Sequence, residues 1–263
     1  MSTLNSSLNA EDSLSQPNVR KIGLADLHDA LRKGIDDFAA MPTHSMFLIV
    51  IYPIVGIILL RLSFGYDVLP VVFPLVAGYA LLGPLAAIGL YEMSRRRELG
   101  MPPSWEALNV FSLLRVRSIA TLGVVLMVIF LAWLGAAMIV YESTFGSWTP
   151  PSFGEFARQV LTTSAGWMLI IVGCGVGFLF ALLSFSVGVV SFPMLVDRDV
   201  GVATAVQTSI RAVAANPVTM AAWGLIVAGA LLIGTLPVLI GLAIVLPVLG
   251  HSTWHLYRKL VEY

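Results

Sequence analysis

Four histidines and two clusters of charged residues are the side chains of this 263-residue chain whose spacing invites a chemical reading. His251 and His255 are four apart and so share one helix face, while His44 stands in MPTHSM between Met41 and Met46. Neutral imidazoles and thioethers can ligate copper or haem iron. A haem-copper core needs several histidines deep in several helices, however, and the remaining one, His28, lies in a half-polar stretch. The simpler reading is that His44, His251 and His255 hydrogen-bond headgroups and neighbouring carbonyls, and no cofactor is expected. The charged clusters are Glu92, Arg97 and Glu98 in YEMSRRRELG and Asp197, Arg198 and Asp199 in FPMLVDRDVG. Their carboxylates could hold a cation or act as acid and base. Pairing of Glu92, Glu98, Asp197 and Asp199 with Arg95, Arg97, Arg198 and Arg211, and a place at helix starts, accounts for them without chemistry. Cys174 lies alone in an apolar run, which excludes an intrachain disulfide or CxxC pair. Neither HExxH, a P-loop, a nucleotide-binding GxGxxG nor a recognisable Ser-His-Asp set appears.

The elements that position these residues follow from composition. Hydrophobic residues make up 58% of the chain and charged ones 11%, against about 25% charged in soluble domains. A soluble core cannot hide so much apolar sequence, but a bilayer can solvate it. The net charge of zero points away from nucleic acid. Candidate spans fall at about 46–63, 68–91, 119–141, 165–192, 217–234 and 237–256, each near the roughly 20 residues a crossing needs. With a cytoplasmic N-terminus and six spans, the outer segments hold only Arg61 and Arg158. Every other Lys and Arg lies inside, as the positive-inside rule requires. Splitting the charge-free fourth run in two would move Arg198 and Arg211 outside, so it counts as one span. Tyr141, Trp148 and Trp167 suit the outer interface, and Trp105, Trp254 and Tyr257 the inner one. Residues 1–18, MSTLNSSLNAEDSLSQPN, have no apolar core and read as a disordered cytoplasmic tail rather than a signal peptide.

One step occurs three times: Arg20-Lys21-Ile22-Gly23, Arg97-Glu98-Leu99-Gly100 and Arg198-Asp199-Val200-Gly201. Each precedes a stretch with apolar residues at helical spacing. The first has Leu24, Leu27, Leu31, Ile35 and Phe38; the second Trp105, Leu108, Phe111 and Leu114, opened by Ser104 as N-cap; the third Val202, Val206, Ile210 and Val213. Two of them stop alike, at Ala40-Met41-Pro42 and Ala215-Asn216-Pro217. The pattern predicts an all-α polytopic protein of three units, at about 20–96, 97–197 and 198–263, within one membrane domain at 19–263. Each unit is a cytoplasmic-face amphipathic helix followed by a hairpin of two spans. Arginine anchors each junction at headgroups, Gly allows the turn, and a one-sided apolar stripe lies flat at the boundary.

Four stretches carry a resemblance: VRKIGLADLHDALRKGIDDF, LLGPLAAIGLYEMSRRRELG, SFPMLVDRDVGVATAVQTSIRAVAANP and HSTWHLYRKL. Through them the chain, from about Val19 onward, resembles a domain-of-unknown-function family of bacterial integral inner-membrane proteins. Some members of that family bear a cytochrome c oxidase subunit label. A narrower similarity, over Asp197 to Pro217, is to the membrane domain found beside some glycerophosphodiester phosphodiesterases, whose catalytic barrel this chain does not have. The resemblance implies a multi-pass inner-membrane location and no mechanism. The expected partners are the bilayer and subunits of a membrane complex, a respiratory one in view of that label. The expected role is accessory, assembly or lipid-organising. A small-solute or lipid transporter is the alternative, and an enzyme acting on a lipid headgroup or quinone the third. Mid-span titratable groups, the usual mark of a proton pathway, are lacking from the sequence.

Overall fold

The computed structural model describes residues 17–41, 73–75, 78, 80–101, 113–236 and 241–263. The expected first span, the start of the second, His44 and the amphipathic stretch around Trp105 lie outside the described residues.

Among the described residues the chain is almost wholly helical. After a two-residue strand β1 (Asn18–Val19) come α1 (Leu24–Ala40), a 3₁₀ turn (Ala80–Leu82), α2 (Gly83–Ala86) and α3 (Ile88–Glu98). Then follow α4 (Leu113–Phe145), α5 (Phe153–Thr162), α6 (Ser164–Gly188), α7 (Ser191–Asp197) and α8 (Val202–Ala215). The chain ends with α9 (Pro217–Thr235), α10 (Leu242–Leu260) and β2 (Val261–Glu262). Among the described residues, four helical stretches are long and apolar enough to cross a membrane: Phe73–Glu98, Leu113–Phe145, Ser164–Asp197 and Pro217–Thr235. They fall where the second to fifth spans are expected. Helix α10 occupies the place of the sixth but is not among the four, because its second half carries His251, His255, Arg258 and Lys259.

The charge-free fourth run is one helical stretch with a break. Pro193 has no N–H to return to Val189, and the chain turns at Val189-Val190 between α6 and α7. The Val190 N–H freed there donates to Ser209 Oγ of α8 at 3.2 Å. Outward from this break, the apolar side chains of α4 and α6 point away from the protein: Val128, Ile139, Ile171 and Phe178 are exposed. Lipid is as apolar as leucine, so such faces need no protein cover. The packed core lies instead at the junction end of the helices. There Tyr91, Phe192, Met194, Leu195, Trp223, Trp254, Leu256 and Tyr257 are all buried in one cluster with Leu27 and Ala30 of α1.

Helices α1 and α8 form where the amphipathic stretches are expected, but the face they bury is turned part-way round from the aliphatic stripe. In α1 the buried residues are Leu27, Ala30, Gly34 and Asp37, while Leu24 and Ile35 are 61% and 52% exposed. In α8 they are Ala205, Thr208, Ser209 and Ala212, while Ile210 is exposed. Small residues allow close helix approach, so the packed face is turned toward them: Leu27, Leu31, Val202, Val206 and Val213 of the aliphatic stripes still pack against the core, while Leu24, Ile35 and Ile210 are left outward. The three Arg-to-Gly steps also differ in geometry. Gly23 and Gly201 are extended N-caps, needing no glycine-only angle. Gly100 alone of the three is left-handed, at φ 69°, and closes α3 in a Schellman motif: Met101 N–H donates to Arg96 O at 2.9 Å and Gly100 N–H to Arg97 O at 3.1 Å.

The two ends of the chain meet. Strand β1 pairs antiparallel with β2, Asn18 opposite Glu262 and Val19 opposite Val261. Asn18, assigned above to the tail, is therefore held in a sheet; a salt bridge of 2.8 Å from Arg20 to Glu262 adds to it. The first Arg-to-Gly step is stitched to the end of α8 by Asn216. Its Oδ1 accepts the Ile22 N–H at 2.8 Å, and its Nδ2 donates to the Arg20 and Ala212 carbonyls, each at 3.0 Å. Replacing Asn216 with Ala should lower unfolding stability by about 2–3 kcal/mol, since three bonds go and buried backbone groups lose partners. Asn216→Asp should cost more than an isosteric change suggests, because it keeps the acceptor but turns a carboxylate on two carbonyls. Thermal unfolding in mild detergent reads both; an unchanged Asn216→Ala midpoint would sink this account of the stitch.

A buried polar cluster where the junctions meet

Arg97, His251 and His255, singled out by sequence, converge at the junction end of the bundle with Asp37 and Ser94, which were not. Helix α1 brings Asp37, α3 brings Ser94 and Arg97, and α10 brings His251 and His255. Asp37 is the hub. Its Oδ2 accepts from Ser94 Oγ at 2.6 Å and lies 2.8 Å from His255 Nε2, and its Oδ1 pairs with Arg97. Ser94 Oγ is also 2.7 Å from His251 Nδ1. A hydroxyl has one hydrogen to give; with that hydrogen on Asp37, the Ser94 lone pair faces an Nδ1–H of His251.

Serine, histidine and aspartate thus do come together, from positions 37, 94 and 251 that no local motif links. The order is not that of a nucleophile. In a catalytic triad the imidazole takes the serine proton and the carboxylate orients the imidazole. Here the carboxylate takes the serine hydrogen directly, and Ser94 and His251 are both fully buried. The arrangement holds three helices together; it does not present an attacking oxygen.

The other junction residues extend the network outward. Asp197 Oδ2 accepts from Tyr257 OH at 2.8 Å and lies 3.5 Å from Arg198 Nε and from Arg258, while its Oδ1 is 3.5 Å from Arg95. Glu98 accepts from Trp254 Nε1 at 3.0 Å and Arg258 Nε at 3.1 Å, binding α3 to α10 rather than capping a helix start. Glu92, buried, stays with Arg95 and Arg96 of its own helix. Asp199 meets Arg115 at 3.2 Å, not the expected Arg198 or Arg211. Lys259 of α10 joins Asp26 and Asp29 of α1. His251 Nδ1 and His255 Nε2 thus face protein side chains, and His251 also bonds the backbone of Leu90, a neighbouring carbonyl of the kind expected. Among the described residues no group of three or more His, Cys, Asp or Glu is arranged to hold a metal ion, and His44 lies outside them.

Asp37, Ser94 and Asn216 carry the site and were not singled out by the sequence. The available signal was spacing: Leu27, Ala30, Gly34 and Asp37 recur at three and four residues, a face of small side chains ending in a carboxylate. Burial pushes the Asp37 carboxyl up, but hydrogen bonds from His255 and Ser94 and the adjacent Arg97 outweigh it, leaving its pKa below the ordinary value. A depressed carboxylate pKa adds stability above the unfolded value, and that contribution is lost as pH falls through the folded one. Asp26 and Asp29, held down by Gly23 N–H and Lys259, act in the same direction. The detergent-solubilised protein should therefore lose thermal stability below about pH 4. Asp37→Asn should flatten that acid limb, and an unaltered pH profile in this variant would contradict the assignment.

A second polar feature lies along the spans. Around Phe73–Glu98 the helix is interrupted by the 3₁₀ turn and by Pro84, which frees carbonyls. Trp133 Nε1 of α4 donates to the Pro74 carbonyl at 2.8 Å, and Ser184 Oγ of α6 to that of Leu81 at 3.0 Å. On the opposite side of the protein from the junctions, Tyr141, Phe145, Trp148 and Phe156 form an aromatic group, with Tyr141 OH donating to Trp148 O at 2.8 Å.

Long apolar helices facing outward, with an aromatic group at one end and the ion-pair network at the other, define an integral membrane protein. Residues 72–197 match the model of a family described as "Predicted integral membrane protein (DUF2189)", the domain-of-unknown-function membrane family that the sequence resembles. The match runs from the second span to the Asp197 junction. It takes in LLGPLAAIGLYEMSRRRELG but not the first of the four stretches or the HSTWHLYRKL ending. No curated protein and no solved structure matches the chain.

Proposed function

We propose that this is a six-span protein of the bacterial inner membrane, with both termini cytoplasmic, acting without catalysis as an accessory or lipid-organising partner of a larger membrane complex. One observation carries the reading. The junction groups that could do chemistry are committed to each other: Glu92, Glu98, Asp197, Asp199 and Asp37 each have a basic partner within the protein. What the described residues offer outward is then apolar helix faces and a few cations that form no ion pair. An even number of spans is supported by the pairing of β1 with β2, which needs both ends on one side. The three-unit plan is supported by α1 and α8 ending alike, at Met41 with φ −134° and ψ 47° and at Asn216 with φ −129° and ψ 51°.

Gentle affinity purification from native membranes, with mass spectrometry of what copurifies, tests the proposal. A stoichiometric membrane-protein partner is the expected result. A bare homo-oligomer carrying a single small solute would overturn it. A solute pathway is the second reading, favoured by the interrupted segment at Phe73–Glu98, since broken helices in transporters mark binding sites at mid-membrane. Solute flux in reconstituted vesicles that is lost on Ser184→Ala would move this reading to the front.

A further inference from the structure

We infer that the corner between α8 and α9 is a binding site for an anionic phospholipid headgroup, held by Lys21 and Arg211. The inference rests on the membrane topology proposed above. Among the described residues nearly every cation has a carboxylate partner; Lys21, Arg117 and Arg211 form no ion pair. Two of these three lie on the segments that Asn216 joins, Lys21 between the two residues it grips and Arg211 on the helix it ends. Asn216 grips the carbonyl before Lys21 and the N–H after it, which fixes that residue beside the C-terminus of α8. Arg211 lies on α8 about 7.5 Å back along the axis from Asn216. Both are exposed. The carboxylate of Glu262, on the strand that pairs with β1, is taken by Arg20.

The corner also sits at the right depth. Span α9 begins at Pro217, so Asn216 marks the level where polar headgroup gives way to acyl chain. Val218, one residue into the span, is 74% exposed, and Ile210, beside Arg211, is 46% exposed. Two cations without partners at the headgroup level, with aliphatic side chains exposed around them, match a phosphate carrying acyl chains. A free phosphate would have no use for Ile210 and Val218, and a zwitterionic headgroup would offset the cations with its own positive charge.

The full chain in mild detergent, titrated with phosphatidylglycerol or phosphatidylcholine and read by native mass spectrometry, tests the site. Phosphatidylglycerol should bind more tightly. In the Lys21→Ala/Arg211→Ala variant its affinity should fall by roughly tenfold to thirtyfold, at about one unit charge's attraction per residue. Arg117→Ala, which removes the unpaired cation outside the corner, should leave it unchanged. Millimolar inorganic phosphate should not displace the lipid. Equal binding of the two lipids, an unaffected double variant, or displacement by phosphate would each overturn the proposal. Arg211→Gln alone, with helicity checked by circular dichroism, gives the same reading if the double variant misfolds. None of these results alters which protein copurifies, so the site and the accessory role fail separately.

Discussion

Asp37→Ala should lower the stability of the folded protein by about 3–5 kcal/mol, the cost typical of breaking a buried charged pair from one side. The carboxylate is nearly inaccessible and accepts from Ser94, faces His255 and pairs with Arg97. Its removal leaves a buried hydroxyl, an imidazole and part of a guanidinium without their acceptor. Only the Arg97 end can recover water, since that side chain is 41% exposed. Asp37→Asn keeps one acceptor and should cost less than Ala. Ser94→Ala should cost less again, because the hydroxyl and its small cavity go together while Asp37 retains His255 and Arg97. Chemical unfolding in detergent, followed by tryptophan fluorescence, should give that order. Equal stability of Asp37→Ala and the parent would mean that the hub does not hold α1, α3 and α10 together.

The second large effect is expected at Gly34, where helix propensity and packing predict opposite signs. Ala is favoured over Gly inside a helix by about 1 kcal/mol. Yet a Cβ on Gly34 would meet Ser252 Oγ and lie 2.6 Å from the Ser252 backbone nitrogen and 2.8 Å from its Cα. A flexible side chain could move aside; backbone cannot, so α1 and α10 must separate. Overpacking of this kind costs about 1–3 kcal/mol, and rigid neighbours place it at the upper end. Gly34→Ala should therefore lower the midpoint of thermal unfolding, and adding Ser252→Ala should restore only part of the loss because the backbone contact remains. A variant as stable as the parent would show that propensity wins and that the crossing is looser than described.

The apolar helices were legible because a bilayer imposes length and exclusion of charge, and both can be counted along a chain. The second to fifth spans appear where those two constraints place them, though Leu113–Phe145 extends past the expected 119–141 at both ends. The packing face of the amphipathic helices was not legible, for a physical reason. In water the centre of the aliphatic stripe is the buried line, but beside lipid one edge of the stripe can stay outward while the other edge and the adjoining small residues meet protein. The stripe of Leu24, Leu27, Leu31, Ile35 and Phe38 and the buried face of Leu27, Ala30, Gly34 and Asp37 share Leu27 and the same helical period, so periodicity alone does not say how far round the packed face is turned. Helix α5 was not among the expected elements, although Ser152 followed by Glu155 three residues on is a helix-start pattern. Ser152 Oγ does accept the Glu155 N–H, at 3.2 Å.

The site was half legible. Glu92, Arg97, Glu98, Asp197, Arg198 and Asp199 stood out because charge is scarce and clustered in such a chain. Their partners Tyr257, Trp254, Arg258 and Asp37 did not, being supplied by helices far apart in sequence. The roles of His251 and His255 turned on Ser94 and Asp37, and nothing local to HSTWH announces either. The shared Arg-to-Gly step concealed a difference as well: Gly100 stops a helix, whereas Gly23 and Gly201 start one.

The central claim is that the polar junctions form one structural face on the cytoplasmic side, and sided cysteine labelling tests it most directly. With Cys174 replaced by Ser, single cysteines would be placed at Arg32 in α1, Arg198 after α7 and Arg158 in α5, all half-exposed or more. A membrane-impermeant maleimide applied to spheroplasts should label Arg158→Cys alone, and inverted vesicles should label the other two. Labelling of Arg32→Cys or Arg198→Cys from outside, or of these two from opposite sides, would contradict the account.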